Sequence, residues 1–296
     1  RILLSPDQTH ILQPSSKSWR HFVLNKLCYL LISTSTTKTM KRILSICVIA
    51  TVTAMSISCQ KSGTQQENAA VETAVVTDNM LTEEEKAAGW ELLFDGSTLN
   101  GWKRFNHDTI GPLWSVKEGM IVCDGQGLGE GTADIGGSLI TTRPFGNFEL
   151  SVEWKISPGG NSGIIYHVVE GPKYKHDYET GPEFQVIDDG GWKDQLGDAQ
   201  KAGSNYDMYA ASATKKVNPV GEWNTARLIY NNGHVEHWLN GEKVVEFDES
   251  SADFTERYKK SKWVDYPDWN KFKSGAIALQ DHGAPVYYRN IKIRAL

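Results

Sequence analysis

The sequence is short of cysteine and of long apolar runs. Its 296 residues contain four cysteines, and three of them, Cys28, Cys47 and Cys59, precede the region that we predict to fold. Cys123 is then the single cysteine of that region, which excludes a disulfide framework and a cysteine metal site there. The formal net charge of -5 leaves no basic stripe of the kind that nucleic acid requires. We therefore expect no nucleic-acid partner.

The composition is that of an ordinary soluble globular protein, with 40% hydrophobic and 23% charged residues. Aromatic side chains stand out, since the chain has 10 Trp and 11 Tyr. Sugar-binding surfaces use such rings as platforms for the apolar faces of pyranoses, although β-sandwich cores also take up aromatic residues. Trp192, Tyr206 and Trp114 are the candidates for such platforms.

Residues 40–58 have the pattern of a bacterial secretory signal. The stretch MKRILSICVIATVTAMSISCQKSG combines two basic residues, an apolar stretch of about a dozen residues and small residues before Cys59. It is too short for a spanning helix. We expect lipidation of Cys59 and a polar tether over residues 59–80, so that only the lipid contacts the membrane. The alternative is a plain signal peptide that is cleaved nearby and leaves an exported, soluble protein.

The lipoprotein signal predicts a location in the bacterial cell envelope, either in the periplasm or at the outer-membrane surface. Residues 1–39 show neither a helical nor a strand period and precede Met40, where the signal begins. We expect them to be translated upstream sequence without a structural role. The folded domain is then predicted over residues 81–296.

The sequence pattern predicts that this domain is all-β after one short helix that begins at Thr82. In the stretch FELSVEWKI, from Phe148 to Ile156, apolar and polar residues alternate as in a half-buried strand. Asn240 and Gly241 form the pair that a type I′ hairpin turn requires. Many short strands with glycine-rich connections predict two packed antiparallel sheets.

The stretch GPEFQVID places two polar side chains on one face of a predicted strand. Successive side chains of a strand point to opposite faces, so Glu183 and Gln185 share one face. Phe184 and Val186 then share the other face, which we expect to enter the core. The polar face needs a different partner, either water or a ligand.

Several separated motifs, in this order, resemble the 3-keto-disaccharide hydrolase domain family, long known only as a domain of unknown function. They are LFDGSTLNGWK, GGNSGIIYH, GPEFQVIDD, NGEKVVEF and GAIALQDHGAPVYYRNIKIRAL. The resemblance spans roughly residues 89–296. It implies a concanavalin A-like jelly-roll sandwich and a hydrolase or lyase that cleaves 3-keto-glycosides, with a carbohydrate as substrate.

In a jelly roll, one sheet binds sugar, and Glu183 and Gln185 would line its groove. Gln280 and His282 form a second polar strand face, beside the small residues Ala276 and Ala278, which leave room for a ligand. The predicted substrate-binding residues are Gln185, Asn161, Tyr166, Gln280 and Trp192. Glu183 and His282 are the predicted catalytic acid and base, with their individual roles undecided.

A 3-keto sugar offers an easier reaction than direct displacement. Its ketone acidifies the C2 hydrogen, so that one base can start elimination of the C1 substituent, and water then adds back. A conventional glycosidase needs two carboxyl groups about the bond. Asp188, five residues after Glu183, lies on the opposite face of the predicted strand. Asp188 and Asp281 are predicted to hold turns or a structural cation.

Two other functions remain open at this point. The first is a non-catalytic carbohydrate-binding surface lipoprotein, because the sandwich fold carries lectins as well as enzymes. The second is a conventional glycoside hydrolase acting on unoxidised sugar. The sequence requires no cofactor, it leaves a divalent cation open, and it makes no prediction of the oligomeric state.

Overall fold

A computed structural model describes residues 77–125 and 135–296 of the chain. The predictions for residues 1–39, for the signal peptide at 40–58, for lipidation of Cys59 and for nearly all of the tether at 59–80 fall outside these ranges and stay predictions. Within the two described ranges, no helix combines the length and the apolar character that crossing a membrane requires.

The described residues form thirteen strands, numbered in chain order, in two antiparallel sheets. The strands of the larger sheet are β1 (Glu91–Leu92), β3 (Trp114–Lys117), β4 (Met120–Cys123), β6 (Phe148–Ile156), β9 (Asn224–Asn231), β10 (His234–Leu239), β11 (Glu242–Asp248) and β13 (Val286–Ala295). Its order is β11-β10-β9-β6-β13-β4-β3, and β1 also pairs with β13.

The strands of the smaller sheet are β2 (Trp102–Arg104), β5 (Leu139–Thr141), β7 (Asn161–Val168), β8 (Glu183–Ile187) and β12 (Ala276–Leu279). They lie in the order β2-β5-β12-β7-β8, which brings together strands that are far apart in the sequence. The two antiparallel sheets confirm the predicted all-β sandwich.

Local sequence signals account for several of these elements. Along β6 the apolar side chains are buried while the residues between them from Ser151 onward are half-buried, as alternation predicts. Asn240 and Gly241 have φ values of 49° and 83°, so the predicted turn joins β10 to β11. The predicted short helix is α1 (Glu83–Ala87), and a capping box between Thr82 and Glu85 starts it.

A second helix, α2 (Ala252–Lys260), is one that the sequence reading missed. Ser251 caps it by accepting a hydrogen bond from the backbone N–H of Phe254 at 3.0 Å. Phe254 and Tyr258, four residues apart, both pack against the core. That i,i+4 pair after a serine was the available signal, and the strand-rich surroundings obscured it.

The core lies between the two sheets. Phe184 and Val186 of β8 are fully buried there, together with Trp154 of β6 and Tyr288 of β13. A second, smaller apolar cluster includes Ala276 and Ala278, whose side chains alternate with those of Ile277 and Leu279 in the main core. This cluster therefore covers part of the outer face of the smaller sheet.

Candidate active site

Three adjacent strands of the smaller sheet bring the predicted polar residues together. β7 lies between β8 and β12, with Gly163 opposite Gln185 and Ile165 opposite Glu183. Just after β12, the backbone N–H of Gln280 donates to the carbonyl of Gly163 at 2.9 Å. Polar side chains from three separate segments thus share the outer face of this sheet.

These side chains line a pocket of about 90 Å³. Its walls are formed by Asn161, Tyr178, Glu183, Gln185, Tyr206, Lys262, Gln280 and His282. Among the described residues that line it, Glu183 is the only one with a carboxylate. The sequence-predicted residues brought into this pocket are Glu183, His282, Gln185, Asn161, Gln280 and the candidate platform Tyr206.

Gly163 makes room for the Glu183 side chain. Glu183 is only 4% exposed, and its carboxylate lies directly over the Cα of Gly163 on the neighbouring strand. A methyl group on residue 163 would overlap that carboxylate. Glycine is needed at this position because the Glu183 carboxylate approaches the strand closely, and not because the backbone adopts an unusual angle.

Two amide side chains in the pocket have complementary polarity. The Oε1 atom of Gln185 accepts a hydrogen bond from the backbone N–H of Val186 at 2.9 Å, which leaves its NH₂ group as a donor toward the pocket. Asn161 is 7% exposed, and within the described part of the chain its Oδ1 atom has no hydrogen-bond partner. A buried acceptor of this kind indicates a ligand hydroxyl or an ordered water.

His282 is held as a neutral imidazole at neutral pH. Burial lowers its pKa from the ordinary value of 6.5, and the nearby Asp281 carboxylate opposes this shift. Its ring packs against Trp192 in a T-shaped arrangement, with centroids 5.4 Å apart and an interplanar angle of 81°. Trp192 thus contacts a pocket residue and does not itself line the pocket.

The sequence reading missed Tyr178 and Lys262, which line the pocket from two short 3₁₀ helices, Asp177–Glu179 and Lys262–Asp265. The Lys262 ammonium lies 4.4 Å from the ring centroid of Tyr206, 4.5 Å from Trp263 and 5.4 Å from Tyr178. Such cation–π contacts hold the charge beside the pocket. Neither residue sits in a strand pattern, so the sequence carried no signal for them.

The structure places Tyr166 in the core and not in the pocket, which corrects that prediction. Tyr166 follows Asn161 by five residues, and an odd separation puts the two side chains on opposite faces of β7. Its ring is fully buried and packs against Phe148 and Tyr230, at 6.2 Å from each centroid. The strand period was itself the signal that should have excluded it.

The structure also tests the predictions for two aromatic platforms, for two alanines of β12 and for Asp188. Trp114 is 4% exposed and belongs to the core, so it offers no platform for a sugar, whereas Tyr206 lines the pocket. Ala276 and Ala278 do not leave open space, because both are buried in the second apolar cluster. Asp188 holds a turn by accepting the backbone N–H groups of Gly159, Gly190 and Gly191.

One group of potential metal ligands occurs among the described residues, on the other sheet. Ligand atoms of His234, Glu236 and Glu246 lie within 4.8 Å of one another. The Lys243 ammonium contacts both carboxylates, at 3.3 Å from Glu236 and 2.7 Å from Glu246. A cation already occupies this network, so the group is better described as a surface ion-pair cluster.

Comparison with known proteins decides the family. The profile of the 3-keto-alpha-glucoside-1,2-lyase-like domain matches residues 89–294. The chain belongs to this family. A 3-keto-disaccharide hydrolase of Bacteroides thetaiotaomicron is 34% identical over 283 residues, which covers 86% of this chain and 97% of that protein. These matches confirm the resemblance seen in the motifs.

Two solved structures of Parabacteroides distasonis proteins, each described as a candidate glycosyl hydrolase, resemble this family member. One is 45% identical with a TM-score of 0.69, and the match covers 74% of this chain and all of that one. The other is 26% identical with a TM-score of 0.53, covering 70% of this chain and 99% of that one. The protein is a glycoside hydrolase-like, carbohydrate-active enzyme.

Proposed function

We propose that the protein cleaves 3-keto-glycosides, such as 3-keto-disaccharides, by base-initiated elimination followed by hydration. The observation that carries this proposal is that a neutral histidine, one carboxylate and several amide groups line the same pocket. The name of the Bacteroides relative supports the choice of substrate class.

The first step removes the proton at C2 of the keto sugar. The neutral imidazole of His282 takes this proton, and the C2–H electron pair moves into the C3 carbonyl to give an enolate. The NH₂ groups of Gln185 and Gln280 and the Lys262 ammonium are the donors that stabilise the enolate oxygen. The Glu183 carboxylate stabilises the imidazolium that forms.

The second step breaks the glycosidic bond. The enolate returns to a ketone, a double bond forms between C1 and C2, and the C1–O bond breaks. The His282 imidazolium gives its proton to the leaving oxygen and becomes neutral again. Water then adds across the double bond, with its oxygen on C1 and its proton on C2, so that the net reaction is hydrolysis.

A conventional double displacement fits the pocket less well. That mechanism requires a nucleophilic carboxylate and a carboxylic acid about 5 Å apart. Glu183 is the only carboxylate among the described residues of the pocket. Asp188, the carboxylate that is next along the chain after Glu183, is committed to backbone amides of a turn.

Paired substrates test the proposal. We expect the purified domain to release the leaving sugar from a 3-keto disaccharide and not from its unoxidised parent, measured with and without a chelator. Without the ketone the C2 hydrogen is not acidic, so elimination cannot begin. Equal cleavage of the parent would support a conventional glycosidase, and binding without cleavage of either would support a lectin-like protein.

The pH profile reports on the protonation of His282. Because burial lowers its pKa below 6.5, the imidazole is neutral at pH 7 and becomes charged only as the pH falls through that lowered value. We expect kcat/KM on the keto substrate to fall on the acid side, with a midpoint below pH 6.5. Recovery of activity after return to neutral pH is the control for unfolding, and a midpoint above 6.5 would contradict this role.

A further inference from the structure

A second, larger cavity lies on the same side of the molecule as the candidate pocket. It measures about 390 Å³, and its lining includes the rings of Phe105, Tyr174 and His176. Asp177 contributes a carboxylate that is 4% exposed, and Ser138 contributes a hydroxyl. Neither the sequence prediction nor the proposed chemistry uses this cavity.

The cavity and the candidate pocket share a wall. His176 lines the cavity and Tyr178 lines the pocket, and their rings stack at 4.8 Å with an interplanar angle of 6°. The segment after β12 likewise gives Asp281 to the cavity and His282 to the pocket. A ligand that passes the His176 and Tyr178 stack therefore contacts both spaces.

The candidate pocket is too small to hold a whole disaccharide. The pocket measures about 90 Å³. Sites that enclose small organic ligands usually measure about 300 to 1,000 Å³. The cavity of about 390 Å³ reaches that range, whereas the pocket does not.

The chemistry of the cavity suits an uncharged sugar ring. Aromatic faces pack against the C–H groups of a pyranose, and a buried carboxylate accepts hydroxyl hydrogen bonds. The lining combines the rings of Phe105 and Tyr174 with the Asp177 carboxylate. We propose that this cavity binds the leaving, unoxidised sugar of the disaccharide. This inference rests on the function proposed above.

Substitutions at the rim test the inference. His107 and Lys175 are exposed residues that line the cavity and not the pocket. His107→Trp and Lys175→Trp would each introduce a large ring at the entrance. The assay compares kcat/KM for a 3-keto disaccharide with kcat/KM for the methyl 3-keto-glucoside, which has no second ring. We expect the ratio of the two to fall by about tenfold in at least one variant.

The matched control is Asp108→Trp, which adds the same ring to an exposed neighbour that does not line the cavity. Its ratio should equal that of the wild-type protein. An unchanged ratio in both rim variants, or an equal loss for both substrates, would overturn the inference. If the wild-type protein cleaves neither keto substrate, the proposed function fails and this inference fails with it.

Discussion

Glu183→Gln and His282→Ala are each expected to lower kcat/KM on a 3-keto disaccharide by about 10² to 10⁴. In the proposed mechanism, Glu183→Gln keeps the shape of the side chain and removes the negative charge assigned to stabilising the imidazolium. His282→Ala removes the proposed base itself. Both residues line the same pocket of about 90 Å³. Among the described residues that line it, no second carboxylate is present to replace Glu183 and no second imidazole is present to replace His282.

The control for both variants is Glu222→Gln, which changes the same group on an exposed residue outside the pocket. Steady-state kinetics with the keto substrate give the effect, and thermal unfolding shows whether the fold persists. A folded Glu183→Gln or His282→Ala protein that keeps full activity would remove that residue from the mechanism. Loss of sugar binding by Trp192→Ala, together with unaltered behaviour of Glu183→Gln, would favour a carbohydrate-binding module.

Gly163→Ala is expected to lower kcat/KM by about 10² without changing any group that reacts. The added methyl group would overlap the Glu183 carboxylate, so the carboxylate must move away from its position over the strand. Gly163 has no positive φ among the described backbone angles, and alanine is therefore compatible with the strand itself. The loss should follow from displacement of Glu183.

A glycine with open space around it provides the control. In Gly190→Ala the nearest atom to the new methyl group is Asp188 Oδ1 at 3.9 Å, so activity should be unchanged. The double variant Gly163→Ala with Glu183→Gln should be no less active than Glu183→Gln alone, because both changes act through one carboxylate. Additive losses would show that Gly163→Ala acts elsewhere.

The alternation of residues along β8 correctly predicted which side chains face the pocket and which face the core. Glu183 and Gln185 alternate with Phe184 and Val186, and the structure places the first pair at the pocket and the second pair in the core. The same period, applied to β7, separates Asn161 from Tyr166. Tyr166 has the hydroxyl of a binding residue, but its odd separation from Asn161 places its ring on the core face of β7.

A β-bulge in β7 shows where regular alternation fails to predict the direction of the side chains. Ala276 pairs with Val168 and Ala278 pairs with Ile165, so two residues of β7 lie opposite Ile277. His167, one of these two, has a φ of 58° and turns its ring into the core against Tyr230 at 4.3 Å. An extra residue shifts the alternation, and its position depends on the neighbouring strand.

The sequence by itself determined the sandwich class, the short first helix, the hairpin at Asn240 and the outward face of Glu183 and Gln185. These features depend on residues that are close along the chain, whose spacing a sequence displays directly. Only the tertiary structure decided that β7 lies between β8 and β12, and that Tyr178 and Lys262 close the pocket. Strand order and loop placement depend on contacts between distant residues, and a local pattern does not contain them.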